Sequence, residues 1–137
     1  MREILFRAKG NPIYNDGSWY YGYLAIDNDG DYQIRGSCWS RTVLPETVGQ
    51  FTGLTDKNGK KIFEGDIVST KYKLGRGGYY VFEVYYNENL CQFALTINSR
   101  SYTKNKQYDW LQLTPLKAEK IEVIGNIHDN PELLEME

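Results

Sequence analysis

The sequence predicts a mostly β protein, formed as one domain over residues 1–137. Twelve Tyr, five Phe and three Trp in so short a chain are typical of strands. Short apolar segments alternate with clusters of Gly, Asn and Asp, which favour turns. We expect an SH3-like barrel over about residues 47–137, an additional N-terminal β-sheet over about residues 1–46, and a short C-terminal helical turn.

The N-terminal segment predicts three short strands. The first covers residues 4–6, and the second covers residues 18–26, with aromatic side chains on both faces. Gly22 interrupts the second strand, which indicates a bulge or the close approach of another backbone segment. The third strand is expected over residues 32–39, and Pro45 then marks the passage into the central stretch.

The acidic run at residues 27–31 has two interpretations. Asp27, Asp29 and Asp31 alternate as the ligands of a calcium loop do. However, Gly30 does not follow the third ligand, and no Glu stands at the position of the bidentate ligand. A hairpin turn is the favoured interpretation.

The central stretch, residues 47–68, reads TVGQFTGLTDKNGKKIFEGDIV and contains most of the turn-forming residues. We expect an irregular segment around Phe51, a turn at residues 56–59, and a second turn at residues 64–66 that leads into a strand. This order is similar to the entry of an SH3-like barrel, an analogy that concerns fold alone. The structural motif consists of Gly49, Phe51, Gly53, Asp56, Gly59, Glu64, Gly65 and Asp66.

The clearest hairpin is predicted over residues 79–97, with a turn at residues 87–89. Its expected inward side chains are Tyr80, Phe82, Val84, Tyr86, Cys91, Phe93, Leu95 and Ile97. A polar, mobile loop is expected over residues 98–108.

The last third of the chain is less regular. Residues 110–116 suit either a short strand or an irregular segment closed by Pro115, and a last strand is expected to place Ile121, Val123, Gly125 and Ile127 on one face. Asn130 can then cap a helical turn that begins at Pro131.

Three blocks of sequence carry a family resemblance: MREILFRAK at the start, the central stretch, and IEVIGNIHDNPELLE near the end. Together they resemble the YopX family, small proteins encoded by phages and prophages of Gram-positive bacteria. The resemblance implies a β-rich fold and a phage origin. It implies no biochemical activity and no catalytic residues, because none is established for the family.

Composition limits the possible locations and cofactors. Cys38 and Cys91 are too few and too far apart for a disulfide framework or a zinc site, so we expect reduced, buried thiols. The N-terminus has only three consecutive apolar residues between charges, which fits neither a signal peptide nor a membrane anchor. A cytoplasmic location, in the bacterial host, is the expectation, with no cofactor and no metal.

Few residues are candidates for catalysis. The single histidine, His128, is expected to be structural or at the surface. Glu64 and Asp66 could act as paired carboxylates of a metal-dependent hydrolase. Gly65 between them instead favours a turn in which Asp66 binds local backbone amides. We therefore expect a protein that is not an enzyme.

A basic and aromatic patch is the remaining candidate site. The net charge of -2 gives no global attraction to nucleic acid or to membranes, so any basic site must be local. Two loops supply basic and aromatic side chains that suit single-stranded nucleic acid, through phosphate neutralisation and base stacking. These residues are Lys71, Lys73, Arg76, Tyr79, Arg100, Tyr102, Lys104 and Lys106. The alternative is that both loops are merely solvated.

The sequence thus predicts a non-catalytic binding or interaction module. Its partner is either a host or phage protein or a nucleic acid, and exposed edge strands leave self-association open.

Overall fold

The structure is a computed structural model that describes residues 2–70, 81–97 and 110–134. The chain divides into two compact units, Met1–Gly53 and Leu54–Glu137. The described residues form eleven strands. Their bounds are β1 Phe6–Lys9, β2 Trp19–Ile26, β3 Tyr32–Arg35, β4 Ser40–Thr42, β5 Gly49–Thr55, β6 Lys61–Phe63, β7 Asp66–Thr70, β8 Val81–Asn87, β9 Gln92–Ile97, β10 Trp110–Gln112 and β11 Ile121–Asn126.

The strands form two antiparallel sheets, which confirms the mostly β class. The first has the order β4-β3-β2-β1-β5-β6 and the second has the order β10-β9-β8-β7-β11. Within the described residues neither order closes on itself, so the SH3-like barrel stays a prediction. No helix in the described ranges is long and apolar enough to cross a membrane.

Three short helical segments accompany the strands within the described ranges. A 3-10 helix spans Pro45–Thr47, and the C-terminal helical turn is confirmed as a second 3-10 helix, Pro131–Leu134. Of the two alternatives for residues 110–116, the short strand is present as β10, and Pro115 begins a one-turn helix, α1, Pro115–Ala118. Proline suits this position because the first residue of a helix needs no backbone N–H donor, and the Thr114 side chain accepts from the Lys117 N–H.

The first unit is built on the pairing of β2 with β1 and β3. Ala8, Ile34 and Val43 are fully buried and form its core with half-buried neighbours such as Tyr20 and Leu24. The first strand begins two residues later than expected, at Phe6, and extends to Lys9.

Gly22 confirms the predicted close approach between strands. A Cβ atom at this position would overlap the backbone carbonyl oxygen of Arg35 on β3. β3 ends at Arg35 rather than at Trp39, because the chain turns there and the Gly36 N–H donates to the Trp39 carbonyl at 2.9 Å.

The acidic run 27–31 forms the hairpin turn between β2 and β3, as predicted. One carboxylate oxygen of Asp27 accepts from the backbone N–H groups of Asp29 and Asp31, both at 2.9 Å. Gly30 has a φ of 85°, which residues with a side chain rarely adopt.

The central stretch is more regular than its glycines suggest. The expected irregular segment around Phe51 was wrong, because Gly49 and Gly53 both lie within strand β5. Only the φ of Gly53, 88°, departs from ordinary strand geometry. Phe51 is buried, and the turn at residues 56–59 forms as predicted, with Gly59 at a φ of 80°.

The second unit contains the larger core. It is formed by buried Ile62, Val68, Phe82, Val84, Leu95, Ala118, Ile121 and Val123. The β8–β9 hairpin is confirmed, with Asn87 paired to Gln92. In β11 the register shifts between Val123 and Gly125, so the single face expected there is interrupted by a bulge.

Two side chains of the β8–β9 hairpin that were predicted to point inward are exposed. Tyr86 is 42% exposed, although its ring packs edge-on against Phe93 at 5.3 Å between centroids. Cys91 lies in the turn and is exposed, with a left-handed φ of 51°, because the turn extends to residue 91 before β9 starts. Cys38 is also free and exposed, so burial of the thiols was wrong for both cysteines.

Candidate functional site

The predicted loop patch lies outside the described residues. This applies to Lys71, Lys73, Arg76, Tyr79, Arg100, Tyr102, Lys104 and Lys106, and to the inward position expected for Tyr80. The mobile loop expected over residues 98–108 lies outside them as well.

Glu64 and Asp66 flank Gly65 at the turn between β6 and β7. Asp66 is only 1% exposed, and its carboxylate accepts from the Phe63 N–H at 2.8 Å. Gly65 has the positive φ, 85°, that this turn requires. The predicted bonding of Asp66 to local backbone amides is confirmed. In residues 2–70, 81–97 and 110–134, no group of three or more His, Cys, Asp or Glu side chains could hold a metal ion.

The end of the chain is held by local hydrogen bonds. His128 is half-buried, and its backbone N–H donates to the side-chain oxygen of Asn126 at 3.0 Å. The side-chain oxygen of Asn130 accepts from the Asn126 N–H at 3.3 Å, ahead of the 3-10 helix.

The described residues reveal a different candidate, on β2. Tyr20 and Leu24 pack into the core of the first unit. Successive side chains of a strand point to opposite faces, so Trp19, Tyr21 and Tyr23 form a row on the other face.

Each ring of this row has a basic residue directly opposite on a neighbouring strand. Because opposed residues of antiparallel strands share a face, ring and cation lie side by side. The pairs are Lys9 with Trp19, Arg7 with Tyr21, and Arg35 with Tyr23. These six residues are called the aromatic face.

Two cations lie beside Trp19, at one end of the aromatic face. The Arg7 guanidinium carbon lies 4.8 Å from the Trp19 ring centroid, and the Lys9 ammonium lies 6.0 Å from it. Both distances are within the range of cation–π attraction. Arg7 is buried, so it supports Trp19 from within the sheet rather than from the surface.

The two tyrosines of the aromatic face are exposed to solvent. Tyr21 is 48% exposed and Tyr23 is 68% exposed. The exposed Arg35 is oriented by Gln33, whose side-chain oxygen accepts from its Nε at 3.1 Å and from its Nη2 at 2.8 Å. Gln33 in turn donates to Asp27 at 3.4 Å, so the turn before β3 helps to place this cation.

A smaller cluster lies on the opposite side of the sheet. Arg41 lies 5.7 Å from the Tyr20 ring centroid and 5.9 Å from that of Trp39. The two rings are themselves 5.8 Å apart. Its Tyr20 belongs to the core, so this cluster offers less free ring surface than the aromatic face.

Charge is segregated between strands and turns. Strands β1 to β5 carry Arg7, Lys9, Arg35 and Arg41 and no Asp or Glu. The net charge of the chain is nevertheless -2. On the aromatic face Lys9 and Arg35 are the cations that are not buried, since Arg7 is buried and Arg41 lies on the other side of the sheet.

Comparison with known proteins identifies the family. The model for YopX protein matches residues 8–135, nearly the whole chain. The chain belongs to the YopX family. Its fold is similar to the crystal structure of protein EF1440 from Enterococcus faecalis, with a TM-score of 0.56 and 27% sequence identity over 98% of this chain and 99% of that one. No curated protein matches the sequence.

Sequence reasoning placed aromatic residues on both faces of the second strand but did not identify the aromatic face of this YopX protein. The sequence signal for this site was the alternation of Trp19, Tyr21 and Tyr23 along one segment that contains no Asp or Glu. Strand register was the missing information, because it is the pairing of β2 with β1 and β3 that places a cation opposite each ring.

Proposed function

We propose that this YopX protein is a non-catalytic binding module of a phage or prophage, acting in the cytoplasm of its bacterial host. We further propose that it binds through the aromatic face. The observation that carries the proposal is the exposure of Tyr21 and Tyr23 in one row, on a strand whose other face is packed into a core.

Energetics support this role for the tyrosines. A tyrosine ring can bury about 150–250 Å² when it is covered, and apolar area contributes roughly 25 cal/mol per Å² removed from water. Tyr, Trp and Arg are also the residues that most often dominate binding interfaces. A partner covering Tyr21 and Tyr23 next to Arg35 would gain from all of these contributions.

A capture experiment tests the proposal. Tagged full-length protein is incubated with lysate of phage-infected host cells, and captured proteins and nucleic acids are both identified. We expect the Tyr21→Thr/Tyr23→Thr variant to lose captured species that the wild type retains. Tyr21 and Tyr23 are the most exposed rings of the aromatic face.

The matched control is Tyr14→Thr/Tyr86→Thr, which removes two rings of comparable exposure, 65% and 42%, outside the aromatic face. It should capture what the wild type captures. Identical captured sets from the wild type and from Tyr21→Thr/Tyr23→Thr, with both folded by circular dichroism, would contradict the proposal.

A further inference from the structure

We propose that the aromatic face binds a single-stranded nucleic acid, with bases stacked on the row of Trp19, Tyr21 and Tyr23 and with phosphates beside Lys9 and Arg35. This inference rests on the proposed binding function and names the class of its partner. It concerns different residues from those of the loop patch predicted from the sequence.

The spacing of the row favours a single strand. Side chains two residues apart on a strand are about 6.6 Å apart, twice the rise per residue. This is about twice the 3.4 Å rise per base of one strand in duplex DNA. Bases that stack on successive rings must therefore be separated from one another, which an extended single strand permits and a stacked duplex does not.

The exposure of the rings matches this use. Tyr23 and Tyr21 present 68% and 48% of their surface, enough for a base to lie against each ring. Trp19, held by Arg7 at 4.8 Å, is only half-buried and continues the row. Stacking of this kind tolerates any base, because every base has a π face.

The cations on either side of the row suit a phosphate backbone. Lys9 and Arg35 lie on the strands at either side of the row, one beside Trp19 and the other beside Tyr23. No strand from β1 to β5 carries an Asp or Glu, and the nearest carboxylate to Arg35 shown by the hydrogen bonds is that of Asp27, which accepts from Gln33 at 3.4 Å. The guanidinium of Arg35 is also planar and suited to phosphate oxygens.

The test is fluorescence anisotropy of labelled oligothymidylate and oligouridylate, with a duplex of equal length for comparison, over a series of salt concentrations. We expect binding to both single strands that exceeds binding to the duplex. Two neutralised phosphates predict a slope of about -1.4 for the logarithm of the binding constant against the logarithm of salt concentration.

Variants separate stacking from charge. Removing one stacking ring with Tyr23→Thr should weaken binding about five- to 150-fold, with little change in the salt slope. Arg35→Gln should reduce the slope by about 0.7. Affinity and slope should remain at wild-type values in Tyr14→Thr/Tyr86→Thr and in Lys61→Gln, which alters an exposed lysine of β6.

A further variant, Lys73→Glu/Arg76→Glu/Lys104→Glu, tests the loop patch against the aromatic face. Binding that is lost in this variant and unchanged in Tyr23→Thr would overturn the inference in favour of the loops. Photocrosslinking to iodouridine oligomers gives an independent location. Adducts on the peptide containing Tyr21 and Tyr23 are expected, and adducts confined to residues 71–106 would contradict the proposal.

Failure of this inference can be distinguished from failure of the proposed function. Absence of binding to every oligonucleotide at low salt overturns the nucleic-acid inference. If Tyr21→Thr/Tyr23→Thr still loses a protein in the capture experiment, the binding module stands with a protein partner. If neither measurement depends on the two tyrosines, both proposals are wrong.

Discussion

Asp56 shows how one buried carboxylate can hold two distant segments of the second unit together. The side chain is only 6% exposed. One of its oxygens accepts from the Asn58 and Lys60 N–H groups, at 2.8 and 2.9 Å, which closes the turn after β5. Its other oxygen accepts from the Val123 N–H of β11 at 2.9 Å.

Replacing Asp56 should therefore be costly. We expect Asp56→Ala to lower the free energy of unfolding by about 3 kcal/mol, because hydrogen bonds to charged groups contribute about 1.5–3 kcal/mol each and the Val123 N–H would remain buried without this acceptor. Urea denaturation measures the change. The control Asn58→Ala alters an exposed neighbour and should change stability by less than about 0.5 kcal/mol. Equal effects from both variants would contradict this role of Asp56.

Glu83 predicts a pH dependence of stability. Burial raises the pKa of this half-buried carboxyl above its ordinary value of 4.5. The residues directly opposite it, Ile67 and Thr96, provide no cation. Between the unfolded and folded pKa values the folded state binds more protons, so the contribution of Glu83 to stability falls as pH rises above about 4.5.

The variant Glu83→Gln should remove this decline. At neutral pH we expect a higher melting temperature than that of the wild type, because no charge needs to be desolvated. The advantage should shrink as the pH is lowered and the wild-type carboxyl becomes protonated. Thermal unfolding monitored by circular dichroism checks both points, and a pH-independent difference between the two proteins would contradict the assignment.

At the scale of elements, the β2–β3 pair connects the fold to the proposed site. Gly22 lies between Tyr21 and Tyr23 along β2, on the opposite face of the strand, and it allows the Arg35 backbone to approach. The same approach brings Arg35 opposite Tyr23. A glycine in the middle of this strand thus maintains the spacing between a ring and its cation.

We expect Gly22→Ala to destabilise the protein by about 1–3 kcal/mol, because a backbone oxygen cannot move aside as a flexible side chain can. It should also weaken any binding that depends on Tyr23 and Arg35 by separating the two strands. Gly30→Asn is the comparison, since Gly30 has open space around it and asparagine tolerates its positive φ. A wild-type melting temperature for Gly22→Ala would disprove the steric argument.

How far sequence predicts an element depends on whether local chemistry decides its structure. The turn at residues 27–31 was predictable because Asp27 bonds its own backbone. The end of β3 was predicted wrongly, because Cys38 and Trp39 suit a strand, whereas Gly36 turns the chain and its N–H donates to the Trp39 carbonyl. For Cys91, alternation gave the wrong face, since it depends on where β9 begins, and that start is set by pairing with β8.

At the scale of the whole molecule, ligand linkage tests the hydrolase alternative at Glu64 and Asp66. A ligand bound only by the folded protein must raise its melting temperature. We expect no rise with magnesium, manganese or zinc, because Asp66 is enclosed and bonded to the Phe63 N–H. A metal-dependent rise that disappears in Glu64→Gln would contradict the turn role and support a metal site.

The overall class was predictable from composition and alternation, whereas the candidate site was not. Tyrosine-rich alternation and turn residues are local properties, and they indicated a mostly β chain correctly. The aromatic face combines Arg7, Tyr23 and Arg35 from three strands, so it depends on sheet order and register. Neither can be read from one strand at a time.

The exposed thiols of Cys38 and Cys91 affect how the protein must be handled. In air, exposed thiols can link two copies of the chain through a disulfide bond. Because each chain has two such thiols, longer disulfide-linked oligomers can also form. A dimer or ladder on a gel without reductant would then record oxidation during purification rather than complementary surfaces. Self-association of this YopX protein is therefore best measured in reductant, or with both cysteines replaced by serine.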